Sequence, residues 1–353
     1  MASGGKLAFK RAPATVHDSE TSDFSTSDSG TDDSNTSSDV KIPSPKRIKG
    51  QNKNNKTKKQ KKSWAPKSFT NPGINVCFLN AAINYLKAVP PIKQACTDGL
   101  HSKSCAIPPG ACFMCTFERT VRESKRKTRS TETLAHLYTF LNPAYEQVGD
   151  QFDTNEVIDN ILNSYKEGPR FPEKGFQPAY GFETEKIMSQ IRQRVVVHTK
   201  CKSCSHERNI EKQALFHRIR VSGPILGLLE KQKETVKDRD CVHCGSKCDH
   251  EFKTSSELTS KYGLIALDRA KQEHGQNVKD TSPVFAPFFT KKGNNVLVTT
   301  AWVRHSGTAK NGHYTAARFE KNGVWEFNDA TVTKKATLTM DQDATAVLFT
   351  KVK

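Results

Sequence analysis

Two residues near opposite ends of the folded part of this 353-residue chain, Cys77 and His313, sit in local sequences suited to chemistry. Cys77 follows the polar, glycine-containing stretch Asn71-Pro72-Gly73-Ile74-Asn75-Val76, and Phe78, Leu79, Ala82, Ile83 and Leu86 then recur at helical spacing. The sulfur is therefore expected at a helix N-terminus, where backbone N–H groups and the helix dipole favour a thiolate over a thiol. The same N–H groups can stabilise an oxyanion formed when that thiolate attacks a carbonyl, and Asn71 and Asn75 are candidate side-chain donors. A small buried cysteine at a helix start has the same local sequence, so the chemistry also needs a base. His313 begins a strand-like run to Phe319, Lys321-Asn322-Gly323 reads as a hairpin turn, and Val324 to Phe327 returns. Such a hairpin brings Asn328 to the open end beside His313, where an amide or carboxylate can accept from the imidazole and fix its tautomer. Gly312 allows close backbone approach at that point.

A second chemistry is metal binding. Cys201-Lys202-Ser203-Cys204 and Cys241-Val242-His243-Cys244 are two CxxC knuckles spaced to close a tetrahedral zinc ribbon. Cys248, His206, His243 and His250 are spare ligands nearby. His101, Cys105, Cys112 and Cys115 form a His-x3-Cys-x6-Cys-x2-Cys cluster that reads either as another zinc set or as ordinary buried thiols. The N-terminus lacks the apolar core of a secretory signal and no apolar run is long enough to span a bilayer, so an intracellular, thiol-preserving setting is expected. The net charge of +18 leaves a zinc-ribbon nucleic-acid-binding protein as a rival reading.

The elements that must position these residues follow from the change of composition along the chain. Residues 1–66 read as a disordered arm: Asp18 to Asp39 is mostly Ser, Thr and Asp, and Lys41 to Lys67 is rich in Lys and Arg without a single acid. Pro45-Lys46-Arg47 and the run from Lys56 to Lys62 have the form of a bipartite nuclear address, and also of a basic segment that touches nucleic acid or chromatin. From Trp64 hydrophobic periodicity begins. Helices are expected at Phe78–Leu86, at Leu134–Leu141 and at Val157–Tyr165, with Val89-Pro90-Pro91 and Asn142-Pro143 as stops. Strands are expected at Val195–Val197, Val296–Val298, His313–Phe319, Val324–Phe327 and Ala346–Phe349. Helices first and strands later argue for an α+β domain with an antiparallel sheet.

With these residues in hand, the chain from about Ser68 resembles the ubiquitin-specific protease family. Asn75-Val76-Cys77-Phe78-Leu79-Asn80 falls on its cysteine box. His305-Ser306-Gly307 through Gly312-His313-Tyr314, followed by Trp325-Glu326-Phe327-Asn328-Asp329-Ala330-Thr331-Val332, falls on its histidine box. Gln151-Phe152-Asp153-Thr154-Asn155-Glu156-Val157 matches a middle box. The resemblance implies a papain-like cysteine protease with a helical thumb, an antiparallel β palm and zinc-ribbon fingers over about residues 190–260, the catalytic domain running over residues 67–353. It implies Cys77 as nucleophile, His313 as base and acid, Asn328 as third member, and Asp329 as a substitute or helper. Asp153 and Glu156 would then face the basic tail of ubiquitin, although Asp-x-x-Glu is also a helix-capping pattern. Cys201, Cys204, Cys241 and Cys244 would hold a structural Zn2+, and the partners would be ubiquitin and ubiquitinated proteins. The basic runs of the arm and the lack of a long apolar run point instead from the sequence itself to the nucleus, with the cytoplasm as a second location, and to no membrane. Two departures stand out. The family's oxyanion asparagine position holds Pro72, as if Ile74 were inserted, so Asn71 or Asn75 must serve. Leu264-Ile265-Ala266-Leu267-Asp268-Arg269-Ala270 has alanine in place of an aromatic residue. The insertion motivates a second rival, a catalytically silent ubiquitin-binding relative.

Overall fold

The structure is a computed structural model that describes residues 66–71, 75–108, 110–123, 127–141, 153–167, 182–221, 229, 232–274, 276–284, 289–292, 295–308, 311–320, 322–336 and 343–352. Residues 1–65 of the expected arm, Pro72, Gly73, Ile74, Asn142, Pro143, Gln151, Phe152 and Lys321 lie outside them.

The first half is helical: α1 (Cys77–Leu86), α2 (Pro90–Asp98), α3 (Phe113–Glu123), α4 (Lys127–Leu141), α5 (Thr154–Glu167) and α6 (Phe182–Ser189). Every residue of α1 is buried, the signature of a helix enclosed on all sides rather than laid on a surface. Val89-Pro90-Pro91 marks the next start as much as a stop. The prolines occupy the first positions of α2, where a missing N–H costs nothing, and Gly99 closes α2 in the left-handed region (φ 64°).

The second half is β. One sheet has order β2-β1-β5-β4, from β1 (Gln193–Cys201), β2 (Glu207–Ala214), β4 (Gln232–Asp240) and β5 (Lys247–Glu257). Strands β2 and β4 expose most of their residues, so little apolar core holds this sheet together. The other sheet has order β13-β12-β11-β10-β14-β6-β3, with β9 (Phe289–Lys292) also on β10. It is built from β3 (His217–Arg220), β6 (Tyr262–Asp268), β10 (Asn295–Gly307), β11 (Gly312–Glu320), β12 (Gly323–Asn328), β13 (Thr331–Lys335) and β14 (Ala344–Val352). β7 (Ala270–Glu273) and β8 (Gln276–Lys279) form a separate hairpin. The antiparallel expectation needs one amendment: edge strand β3 joins β6 in parallel, because the chain leaves for the four-stranded sheet between them and returns in the same sense.

The main core lies between the helices and the large sheet. There Phe78, Leu79, Ile83 and Leu86 of α1 meet Ile158 and Ile161 of α5, Leu264 of β6 and Leu348 of β14. α1 packs directly on β11, β10 and β12. The helix that begins with Cys77 is thereby fixed to the strands that carry His313 and Asn328.

Candidate active site

Cys77 is the first residue of α1 and is only 3% exposed. Val76 at the N-cap supplies no side-chain bond to this end of the helix. Asn75, exposed, adopts a positive φ of 54°, a conformation that Asn tolerates better than most residues. Neither Cys77 nor any other cysteine is in a disulfide.

His313 and Asn328 meet as the hairpin reading requires. Ala316 faces Phe327 across β11 and β12, so the register carried one step further sets Asn328 on the same face as His313, one pleat repeat away. His313 Nε2 lies 2.7 Å from Asn328 Oδ1. An amide oxygen only accepts, so in this contact Nε2–H is the donor. Next to His313, Tyr314 reports what gathers here. Burial foremost, then the charges of Asp153, Cys77 and Glu156, push its phenol well above the ordinary range.

Asp329 makes contacts of its own. Its carboxylate accepts from Asn71 Nδ2 at 3.2 Å and from Asn80 Nδ2 at 2.6 Å, and its own φ is positive at 46°. It ties the segment before Cys77 and the first turn of α1 to the turn that follows Asn328. In sequence Asn80 is no more than a fixed position of the cysteine box; its bond to Asp329, 249 positions away, is visible only in the folded chain.

Asp153 and Glu156 stand at the start of α5, where the capping pattern is realised. The Asp153 carboxylate accepts from Asn155 N at 2.9 Å and its carbonyl from Glu156 N at 3.0 Å. Burial pushes both carboxyls up, while Arg218 on β3 draws them down. Thr154 Oγ1 also donates to the Phe78 carbonyl at 3.3 Å, joining α5 to α1.

Gly312 is constrained by its neighbour. A Cβ there would collide with His305 Nε2, whose ring lies 4.3 Å from that of Tyr314. His305 is held in turn. Its N–H donates to the Asp343 carbonyl at 2.8 Å, and its carbonyl accepts from Lys279 Nζ, which also pairs with Asp343 Oδ1 at 2.8 Å. Burial foremost lowers the His305 imidazole to about 4, so it stays neutral beside His313.

At the end of the four-stranded sheet, the donor atoms of Cys201, Cys204, Cys241 and Cys244 all lie within 4.8 Å of one another. Cys204 Sγ and Cys241 Sγ are 3.8 Å apart, the edge expected for a tetrahedron with bonds of about 2.3 Å. The two knuckles match. Each is followed by a residue in the left-handed region, Ser205 (φ 57°) and Gly245 (φ 69°), and Cys204 N donates to Cys201 Sγ at 3.4 Å. A set of four thiols fits zinc. Of the spare ligands, His206 and His243 stack on each other at 4.5 Å, whereas Cys248 Sγ stands 3.2 Å from Cys201 Sγ and forms a group with His250. The remaining cluster, His101, Cys105, Cys112 and Cys115, also converges, at the α2–α3 corner. Among the described residues no helix is long and apolar enough to cross a membrane.

Comparison with known proteins bears on the family and the fold. The mouse (Mus musculus) ubiquitin carboxyl-terminal hydrolase 17-like protein A is 23% identical over 299 residues, covering 78% of this chain and 55% of that protein. The 17-like protein C of the same organism is 22% identical over 296 residues, covering 78% and 53%. The chain thus spans about half the length of the curated relatives it matches. The fold is similar to the structure of the SAGA Ubp8/Sgf11/Sus1/Sgf73 DUB module bound to ubiquitin aldehyde, with TM-score 0.64, 19% identity and coverage of 81% of this chain and 70% of that one. A variant of the same module bound to monoubiquitin gives TM-score 0.63 at 18% identity, covering 83% and 72%. Residues 68–349 match the ubiquitin carboxyl-terminal hydrolase family model, and the chain belongs to that family.

Proposed function

We propose that this chain hydrolyses the bond after the C-terminal glycine of ubiquitin and so removes ubiquitin from the proteins that carry it. Cys77 is the nucleophile. His313 Nδ1 takes the thiol proton, and the sulfur adds to the glycine carbonyl carbon. The α1 N–H groups, with Asn71 or Asn75, stabilise the resulting oxyanion. The C–N bond then breaks as His313 returns its proton to the departing amine, leaving a thioester. Water, deprotonated by His313, releases the ubiquitin carboxylate and regenerates the thiol. Asn328 orients the imidazole, and Asp329 acts through Asn71 and Asn80 as a positioning residue. Asp153 and Glu156 hold the basic tail of ubiquitin.

The observation that carries this reading is the 2.7 Å contact of His313 with Asn328 on strands against which the Cys77 helix packs. In this reading residues 67–353 are the catalytic domain, preceded by the arm of residues 1–66. Residues 190–260 are the fingers, whose four thiolates bind a structural zinc ion that orders a sheet with little core of its own. The basic runs of the arm direct the protein to the nucleus and give it contact with nucleic acid. Cleavage of a ubiquitin joined to a fluorogenic lysine through an isopeptide bond tests the activity. Release of the lysine by the chain, and none by Cys77→Ala, supports the proposal. A folded chain that binds ubiquitin but releases nothing identifies a silent relative instead.

A further inference from the structure

The α2–α3 corner has no part in the proposed catalysis, yet it gathers four metal-binding side chains. Gly99 turns the chain out of α2, and His101 follows at once, 3% exposed. Cys105 lies half-buried on the connection, Cys112 directly precedes α3, and Cys115 is in the first turn of that helix. Cys112 is fully buried and Cys115 is 3% exposed. Their donor atoms lie within 4.8 Å of one another.

The details are those of a metal centre rather than of a thiol cluster that merely fills space. Cys115 N donates to Cys112 Sγ at 3.5 Å, the same N–H to sulfur contact that Cys204 N makes to Cys201 Sγ in the four-thiol site. His101 Nε2 lies 3.1 Å from Cys112 Sγ, so imidazole and thiol aim at one point. The loop that carries His101 is fastened separately. The buried Glu118 carboxylate accepts from His101 N at 2.8 Å and from Ser102 N at 2.9 Å. A buried acid thus holds the backbone and leaves the ring to the sulfurs. Three thiolates and one imidazole from a His-x3-Cys-x6-Cys-x2-Cys segment make a closed four-coordinate set of the kind that structural zinc takes.

We propose that His101, Cys105, Cys112 and Cys115 bind a second zinc ion, which pins the α2–α3 connection to the start of α3. Cys112 and Cys115 belong to the same core as α1, so the ion stabilises the helical half, independently of the zinc proposed for the four-stranded sheet.

The test is metal content of the purified full chain, by mass spectrometry of the metal per protein. The wild type is expected to hold two equivalents of zinc, Cys201→Ser one, and His101→Ala or Cys105→Ser one. Because loss of a buried ligand can unfold the helical half, cobalt substitution of Cys201→Ser gives a second reading. It should show the thiolate-to-cobalt charge-transfer and tetrahedral d–d bands of a three-sulfur, one-nitrogen site. An equivalent retained in Cys201→Ser, with those bands, supports the second site whatever the occupancy of the four-thiol set. One equivalent in the wild type and none in Cys201→Ser, with no cobalt bands in that variant, overturns the proposal.

Discussion

Asn328→Ala removes the amide oxygen that lies 2.7 Å from His313 Nε2. Asn328 is exposed, so water can replace the lost acceptor. The cost to folding should therefore stay within about 0.5 kcal/mol. The cost to catalysis should be larger, because the bond strengthens when His313 becomes cationic on taking the Cys77 proton. A hydrogen bond to a charged group contributes about 1.5–3 kcal/mol, which corresponds to roughly a 10- to 150-fold loss in kcat/KM. Hydrolysis of a ubiquitin C-terminal fluorogenic amide measures the catalytic cost, and denaturant unfolding the folding cost. Asn328→Asp keeps an acceptor and should retain most of the activity. Activity of Asn328→Ala within twofold of wild type would refute the assigned role, and so would a fall in activity matched by an equal fall in stability.

Other consequences follow from the same contacts. Asp329→Ala leaves the buried Asn80 amide without its acceptor and frees Asn71 from this bond, so kcat should fall about tenfold or more with KM little changed; a change in KM alone would mean that Asp329 touches substrate instead. Arg318 is 2% exposed, donates to Asn84 O at 2.8 Å, Asn84 Oδ1 at 2.9 Å and Glu320 Oε1 at 2.7 Å, and lies 4.1 Å from the Phe327 ring centroid. It joins α1, β11 and β12, so Arg318→Met should lower unfolding free energy by about 3–5 kcal/mol; a loss under about 1 kcal/mol would show that the pair is dispensable. Burial holds the imidazoles of His217 and His305 near 4, below the ordinary 6.5. The unfolded chain then binds more protons than the fold between those values. These residues should make stability fall as pH drops from 6.5 and level off near 4, and His217→Gln should flatten the slope; an unchanged slope in that variant would contradict the assignment.

The residues proposed to react are legible in the sequence because such chemistry demands particular types at particular places: a thiol where a loop becomes a helix, and an imidazole and an amide at the open end of a hairpin. The two CxxC knuckles that converge in the fold are legible for the same reason, since spacing within a knuckle is local. The strand-like segments Val296–Val298 and Ala346–Phe349 are real but understate their strands, because β10 runs on past the polar pair Thr299-Thr300 to the buried Ala301, Trp302 and Val303, and β14 takes in Ala344 and Thr345 before its apolar run. What the sequence hides is partnership through space. Arg318 reads as one more cation on a strand, and only the approach of α1 reveals that it is enclosed and bonded to Asn84. Asp329 reads as a spare for its neighbour Asn328, yet a positive φ turns it toward Asn71 and Asn80. Strand β3 has no sequence signal that places it beside β6, since no local pattern announces a parallel edge pair formed across an intervening sheet.

The most direct test is to treat the purified chain with ubiquitin whose C-terminal carboxyl is replaced by a thiol-reactive electrophile, and to map the product by peptide mass spectrometry. The account predicts one covalent ubiquitin per chain, attached at Cys77, formed slowly by His313→Ala and not at all by Cys77→Ala. A folded chain that forms no adduct, or that carries it on another cysteine, contradicts the account.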